Sequence, residues 1–167
     1  MKTQITRRDF SRLSGIAAAV APALFAADVP TRKLKIGHTG ITWNNNSEAA
    51  VRDISELGYY GFETFGNVLE NWAADPDFEQ KIGKYKLPLI SGYCGINLTD
   101  PAKKQDSLDK LSKWGGLIKK YGGNIVVIGP NGVPRATYDF KANKANIVAM
   151  LNESSKLVAD MGLTAVL

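Results

Sequence analysis

The feature that most constrains this chain is an alternation along residues 33–167. Short apolar runs take turns with amphipathic helical patterns. KLKIGH (Lys33–His38), YGFET (Tyr60–Thr64), LPLISGY (Leu87–Tyr93), NIVVIG (Asn124–Gly129) and LTAVL (Leu163–Leu167) each read as a short, mostly apolar strand. Such runs are expected of parallel strands buried on both faces. Helical spacing fills the gaps. Ser47 is a candidate N-cap, with Ala50, Val51, Ile54 and Leu57 on one face and Gly58 at the end. Asp75-Pro76 predicts a second helix start, with Phe78, Ile82 and Tyr85 along one side. Asp100-Pro101 opens a third, lined by Leu108, Leu111, Ile118 and Tyr121. Gly115-Gly116 weakens its middle by about 1 kcal/mol per glycine relative to alanine. Ile147, Met150, Leu151, Ser154, Leu157, Val158 and Met161 form a fourth face, ended by Gly162.

Strict alternation of this kind predicts an α/β fold, a parallel sheet with helices outside it. An eight-fold barrel and an open doubly wound sheet both fit. GHTGITW after the first run carries no GxGxxG fingerprint, and GxxxxGK[ST] is absent from the chain, which weighs against the nucleotide-binding open sheets.

Composition narrows the partners. With 44% hydrophobic and 22% charged residues, the chain has the apolar material for one core. Of the net charge of +5, residues 1–27 carry +3, from Lys2, Arg7, Arg8 and Arg12 against Asp9, so the rest carries +2. No basic stripe interleaved with aromatics remains, and no nucleic-acid partner is expected. The single cysteine, Cys94, excludes an intrachain disulfide framework and a CxxC metal site.

The first 27 residues read as an address. In TRRDFSRLSG (Thr6–Gly15) a pair of arginines precedes an alanine-rich apolar stretch, Leu13 to Ala27, broken by Pro22. About 15 residues are too few to span a bilayer, which needs about 20. A basic start, a short apolar stretch and small residues at Ala23 and Ala26 make a secretory signal. Thr6-Arg7-Arg8-Asp9-Phe10 resembles the twin-arginine export signal, with Ser11 and Arg12 where Leu and Lys are usual. That resemblance implies residues 1–27 as signal, residues 28–167 as the mature part, the twin-arginine translocation machinery as partner, and a periplasmic or secreted product.

GYYGFE (Gly58–Glu63) resembles the G-[YF]-x-G-[VI]-E signature of the xylose-isomerase-like barrels, the sugar phosphate isomerase/epimerase family, with Phe62 in place of Val or Ile. LIKKYGGNIVVIGP and LVADMGLTAVL resemble that family's passages into strands four and five, in the same order and spacing. The resemblance covers about residues 33–167 and implies a parallel (β/α)8 TIM barrel. A barrel of eight units takes about 250 residues. The expectation is therefore the first four and a half units, truncated in strand five.

Function in such barrels sits at the carboxyl ends of the strands. His38 stands at the end of the first run, as a partner for a sugar hydroxyl, a proton relay, or a structural imidazole bonded to backbone. Trp43 follows in the loop, to stack on a sugar or to pack the loop. Glu63 ends the second run, where a carboxylate needs a partner or a substrate. Tyr93 is a pocket wall, and Cys94 beside it reads as a small buried filler. Asn131 lies in GPNG (Gly129–Gly132), a plain turn or an anion-facing one. Glu63 and His38 are the catalytic candidates, and Trp43, Tyr93 and Asn131 the substrate-binding ones.

The resemblance also implies a divalent metal (Mn, Co, Mg or Zn) held by carboxylates and a histidine from strands five to eight. The first of these follows strand five, so no residue of this chain is assigned as a metal ligand. By the same resemblance the chemistry is proton abstraction next to a carbonyl on a small sugar, polyol or keto-sugar. A keto-sugar lyase or hydratase of the same fold, and a non-catalytic periplasmic carbohydrate-binding barrel, are the alternatives.

Overall fold

The computed structural model describes residues 34–44, 46–131 and 138–167. Residues 1–27, with Arg7 and Arg8, lie outside the described residues, as does Gly132 of the GPNG turn. Among the described residues no helix is long and apolar enough to cross a membrane.

Five strands form one sheet: β1 (Gly37–Thr39), β2 (Gly61–Phe65), β3 (Leu89–Ile96), β4 (Ile125–Pro130) and β5 (Thr164–Val166). All neighbours are parallel and the order is β1-β2-β3-β4-β5. That order separates the two architectures the sequence left open. A doubly wound sheet reverses direction at a switch point. Here every crossover advances the same way, and right-handed crossovers then leave all helices on one face. The chain is α/β, with about the first four and a half units of a (β/α)8 barrel.

The helices are α1 (Ser47–Glu56), α2 (Gly66–Ala74), α3 (Phe78–Gly83), α4 (Lys104–Lys120) and α5 (Phe140–Asp160). The two faces of the sheet differ in burial as this winding requires. Phe62, Leu89, Cys94, Ile96, Val126 and Ile128 point at the helices and are buried, together with Ile54, Leu69, Leu111, Ile118 and Val158 from the helices. Fully burying a side chain such as Leu69 or Ile118 stabilises the fold by about 1.5–3 kcal/mol. Gly92 lets α4 approach, since a Cβ there would lie 2.5 Å from Ile118 Cδ1. The opposite face carries Glu63, Phe65, Tyr93, Ile125 and Val127, all half-buried, and the exposed Thr164 and Val166.

Local chemistry explains most element ends. Asn46, not Ser47, caps α1, its side chain accepting from Ala49 N at 3.2 Å. Asp75 bonds Asp77 N at 3.0 Å, so α3 begins at Phe78 and not at Pro76. Asp100 accepts from Ala102 N at 2.9 Å and opens a 3-10 turn, Pro101–Lys103, that runs into α4. α4 continues through Gly115-Gly116 because Gly115 is a packing position: a Cβ there would meet Met161 Cε at 2.9 Å. α5 starts at Phe140, capped by Asp139, seven residues before the first apolar position read from its pattern. β1 is shorter and later than KLKIGH, and β3 runs on to Ile96.

One helix was not expected at all. α2 leaves β2 with no loop residue between Phe65 and Gly66. It buries Val68, Leu69 and Trp72. Trp72 stacks on Phe78 of α3 with ring centroids 4.2 Å apart and meets Tyr121 edge-on at 5.5 Å.

Candidate functional site

The strand register sorts the expected site residues. In parallel pairing, partners in register share a face. Thr39 pairs with Glu63, and Glu63 with Ser91. These three lie on the face away from the helices. A register shift between Phe62 and Glu63 makes Ile90 the extra residue of β3 and turns it to the same side as Ser91. Ser91 Oγ donates to Glu63 Oε2 at 2.6 Å, the short distance of a charge-assisted bond. Glu63 is thus in the middle of β2 and not at its end. Its carboxylate borders a cleft of about 360 Å³ that reaches down to Lys35, Tyr60 and Ile90.

Two residues further along the strands, Phe65 pairs with Tyr93, their rings edge to face at 5.6 Å. This aromatic pair lies between Glu63 and the carboxyl ends of the strands. Beyond it Gly95 pairs with Gly129, and Asn131 follows β4. The Tyr93 ring lies across Gly129, where any Cβ would collide with the Tyr93 hydroxyl. Asn131 leans over Gly95, its Cβ 3.4 Å from where a Gly95 Cβ would be. Tyr93 and Asn131, expected apart on separate strands, therefore meet above a glycine pair.

They line a second cleft, of about 390 Å³, with Phe65, Gly66, Asn67, Lys110 and Trp114. It sits at the carboxyl ends of β2 to β4. Trp114 of α4 covers Gly66, where a side chain would collide with the indole. The indole NH donates to Glu70 Oε1 at 2.6 Å, and Lys113 reaches the same oxygen at 3.2 Å. The indole bond, with the lysine's help, holds the Glu70 carboxyl below its usual range. Lys110 pairs with Asp106 at 2.8 Å. None of Gly66, Asn67, Lys110 and Trp114 was expected. The signal for α2 was present in Val68, Leu69 and Trp72, and Ser91 was legible as two residues from Tyr93 on one strand face.

His38 and Trp43 go elsewhere. His38 is in register with Phe62, on the helix-facing side, although it borders the Glu63 cleft. Its ring lies edge-on to Tyr59 at 5.1 Å and to Trp43 at 5.5 Å, and Nδ1 is 2.6 Å from the Thr39 carbonyl oxygen. Trp43 Nε1 donates to Asp53 Oδ2 at 2.8 Å, tying the loop to α1. That bond, and then the Arg52 guanidinium, lower the Asp53 carboxyl from its ordinary value. Trp43 thus takes the loop-packing alternative of its two readings, while His38 stays at the border of the Glu63 cleft with its ring nitrogen against backbone. Cys94 is fully buried, and desolvation, with the Glu63 charge adding to it, pushes its thiol up to about 12. It is a filler without a reactive thiolate.

Among the described residues no group of three or more His, Cys, Asp or Glu side chains is placed to hold a metal ion. Glu63 and His38 occupy different register positions, Glu63 opposite Thr39 and His38 opposite Phe62, and both border the lower cleft.

No protein-family model matches the chain, and no curated protein matches it. Solved structures do. The 3-keto-D-glucoside 4-epimerase of E. coli is 20% identical with a TM-score of 0.61, over 80% of this chain and 55% of its own. A D-psicose 3-epimerase crystallised in the presence of D-fructose is 13% identical with a TM-score of 0.64, over 79% of this chain and 51% of its own. The IOLI protein with a bound zinc atom is 15% identical with a TM-score of 0.61, over 79% of this chain and 50% of its own. The chain spans about half the length of these structures. At such identities the likeness establishes the fold, and activity has to be argued from the site.

Proposed function

We propose that this chain supplies part of a sugar-modifying barrel enzyme of the isomerase and epimerase kind. The observation that carries the reading is the cleft at the carboxyl ends of β2 to β4, where Tyr93 and Asn131 stand with Phe65 and Trp114. Aromatic rings offer flat apolar faces to the C–H side of a sugar, and a phenol and an amide offer hydrogen bonds to its hydroxyls. The cleft's size suits one small sugar ring.

The substrate class is a small sugar, polyol or keto-sugar, and the reaction is proton abstraction next to a carbonyl. Tyr93 and Asn131 bind and orient the hydroxyls. Phe65 and Trp114 exclude water from one side. Glu63, with one oxygen occupied by Ser91, supports the cleft from beneath the aromatic pair. The divalent metal implied by the resemblance does not fit the described residues, and its ligands would come from later strands of an eight-unit barrel. Residues 1–27 direct export by the twin-arginine route in this reading.

Ligand-observed saturation-transfer NMR on the full chain with D-fructose tests the binding half of the proposal. Transfer to the sugar ring protons, competed by a keto-glucoside, is the expected result. No transfer at millimolar sugar would contradict it.

A further inference from the structure

We infer that Gly129 is a positioning residue for the sugar cleft, acting through Tyr93; this rests on the carbohydrate reading above. Three atoms of the tyrosine, its oxygen, Cζ and Cε2, lie within collision distance of any Cβ built on Gly129. A tip-only clash would be relieved by a small torsion. A clash along the ring edge is not, because a tyrosine ring is rigid and this one is held edge-on by Phe65 at 5.6 Å. An alanine at this position therefore turns the whole ring away from β4.

The consequence is chemical. Gly129 is buried and pairs with Gly95, so the two strands offer a side-chain-free floor at their carboxyl ends. Tyr93 fills that floor from one side and Asn131 overhangs it from the other. The absence of a Cβ on β4 thus leaves room for the Tyr93 ring beside Asn131, so that a phenol and an amide line one cleft sized for a small polyhydroxy ligand. Gly129 touches no ligand itself. It sets where the hydroxyl of Tyr93 stands, and so which sugar hydroxyl can be met.

The test is a binding cycle on the full chain with D-fructose as probe, read by saturation-transfer NMR, with circular dichroism melts to check folding. Tyr93→Phe removes only the hydroxyl and should weaken binding about five-fold, the worth of one hydrogen bond. Gly129→Ala should weaken it by a similar factor. The double variant should lose no more than either alone, because both changes remove the same contact. Losses that multiply in the double variant, or a folded Gly129→Ala chain that binds like wild type, would overturn the positioning role. A wild-type chain that binds no D-fructose would overturn the carbohydrate reading and this role with it. Should Gly129→Ala fail to fold, Gly129→Ala in a Tyr93→Ala background decides: recovery of the melt supports the collision, and no recovery overturns it.

Discussion

Ser91 Oγ donates to Glu63 Oε2 across the β2–β3 pair at 2.6 Å, on the face of the sheet away from the helices. Ser91 is buried and Glu63 half-buried, so water replaces this bond poorly. Hydrogen bonds to charged groups contribute about 1.5–3 kcal/mol. Ser91→Ala should therefore lower the free energy of unfolding by about that amount, measured by urea titration, and Glu63→Gln in the Ser91→Ala background should recover part of it. An unchanged urea midpoint for Ser91→Ala would show that the pair carries no stability.

The approach of Trp114 to Gly66 makes a second prediction. An added methyl at Gly66 would run into the indole, which is also tied to Glu70 at 2.6 Å. Overpacking of this kind costs about 1–3 kcal/mol. Gly66→Ala should destabilise by that amount, and Trp114→Leu should make the same change far milder. Equal effects of Gly66→Ala in both backgrounds would mean that the helix start, and not the indole, sets the cost.

Cys94 gives a pH-dependent outcome with a definite sign. Its folded thiol is raised from 9.0 to about 12 by burial first and by Glu63 second. The unfolded chain therefore releases the proton first, and stability falls as pH rises from about 9 towards 12. Below pH 8 the group contributes no slope. The Cys94-dependent slope should approach about 1.4 kcal/mol per pH unit in that window. Chemical unfolding of wild type and Cys94→Ala at pH 8, 9 and 10 isolates it, since other titrations are common to both. Parallel curves for the two proteins would contradict the assigned burial of the thiol.

Much of this fold was legible because its signal is periodic. Five apolar runs and four helical faces are local patterns, and each overlaps a strand or helix of the structure, with ends shifted by a few residues. Sheet order was not legible: the same pattern serves a barrel and a doubly wound sheet, and only pairing in space separates them. α2 escaped because it starts directly after Phe65, the last residue of β2, with no side-chain cap to mark it. At the site, Asn131 follows β4 as read, while Tyr93, read as the end of its strand, lies three residues before the end of β3 because that strand runs on to Ile96. His38 was harder to place, because position along a strand does not tell which face a side chain takes. A one-residue difference puts Thr39 inside and His38 with the helices. The bulge at Ile90 likewise decides that Ser91 meets Glu63, and nothing in LPLISGY announces it.

In the proposed twin-arginine reading, export rests on Arg7 and Arg8. Replacing both by lysine keeps the charge and removes the guanidinium pair, so a twin-arginine signal should fail while a general secretory signal would still work. In a bacterial host, the double variant should remain in the cytoplasm with residues 1–27 attached. Fractionation followed by mass spectrometry of the N-terminus reads this, and undiminished periplasmic delivery would contradict the twin-arginine assignment.

In the proposed function, ligand enters at the carboxyl ends of β2 to β4, above the Phe65–Tyr93 pair, and not at the Glu63 cleft. Backbone amide NMR shifts of the full chain, titrated with D-fructose, test it most directly. Saturable shifts are expected at Gly66, Asn67, Tyr93, Gly95 and Asn131, the residues around the upper cleft. Shifts confined to Lys35, Tyr60, Glu63 and Ser91, or no saturable shift at all, would contradict it.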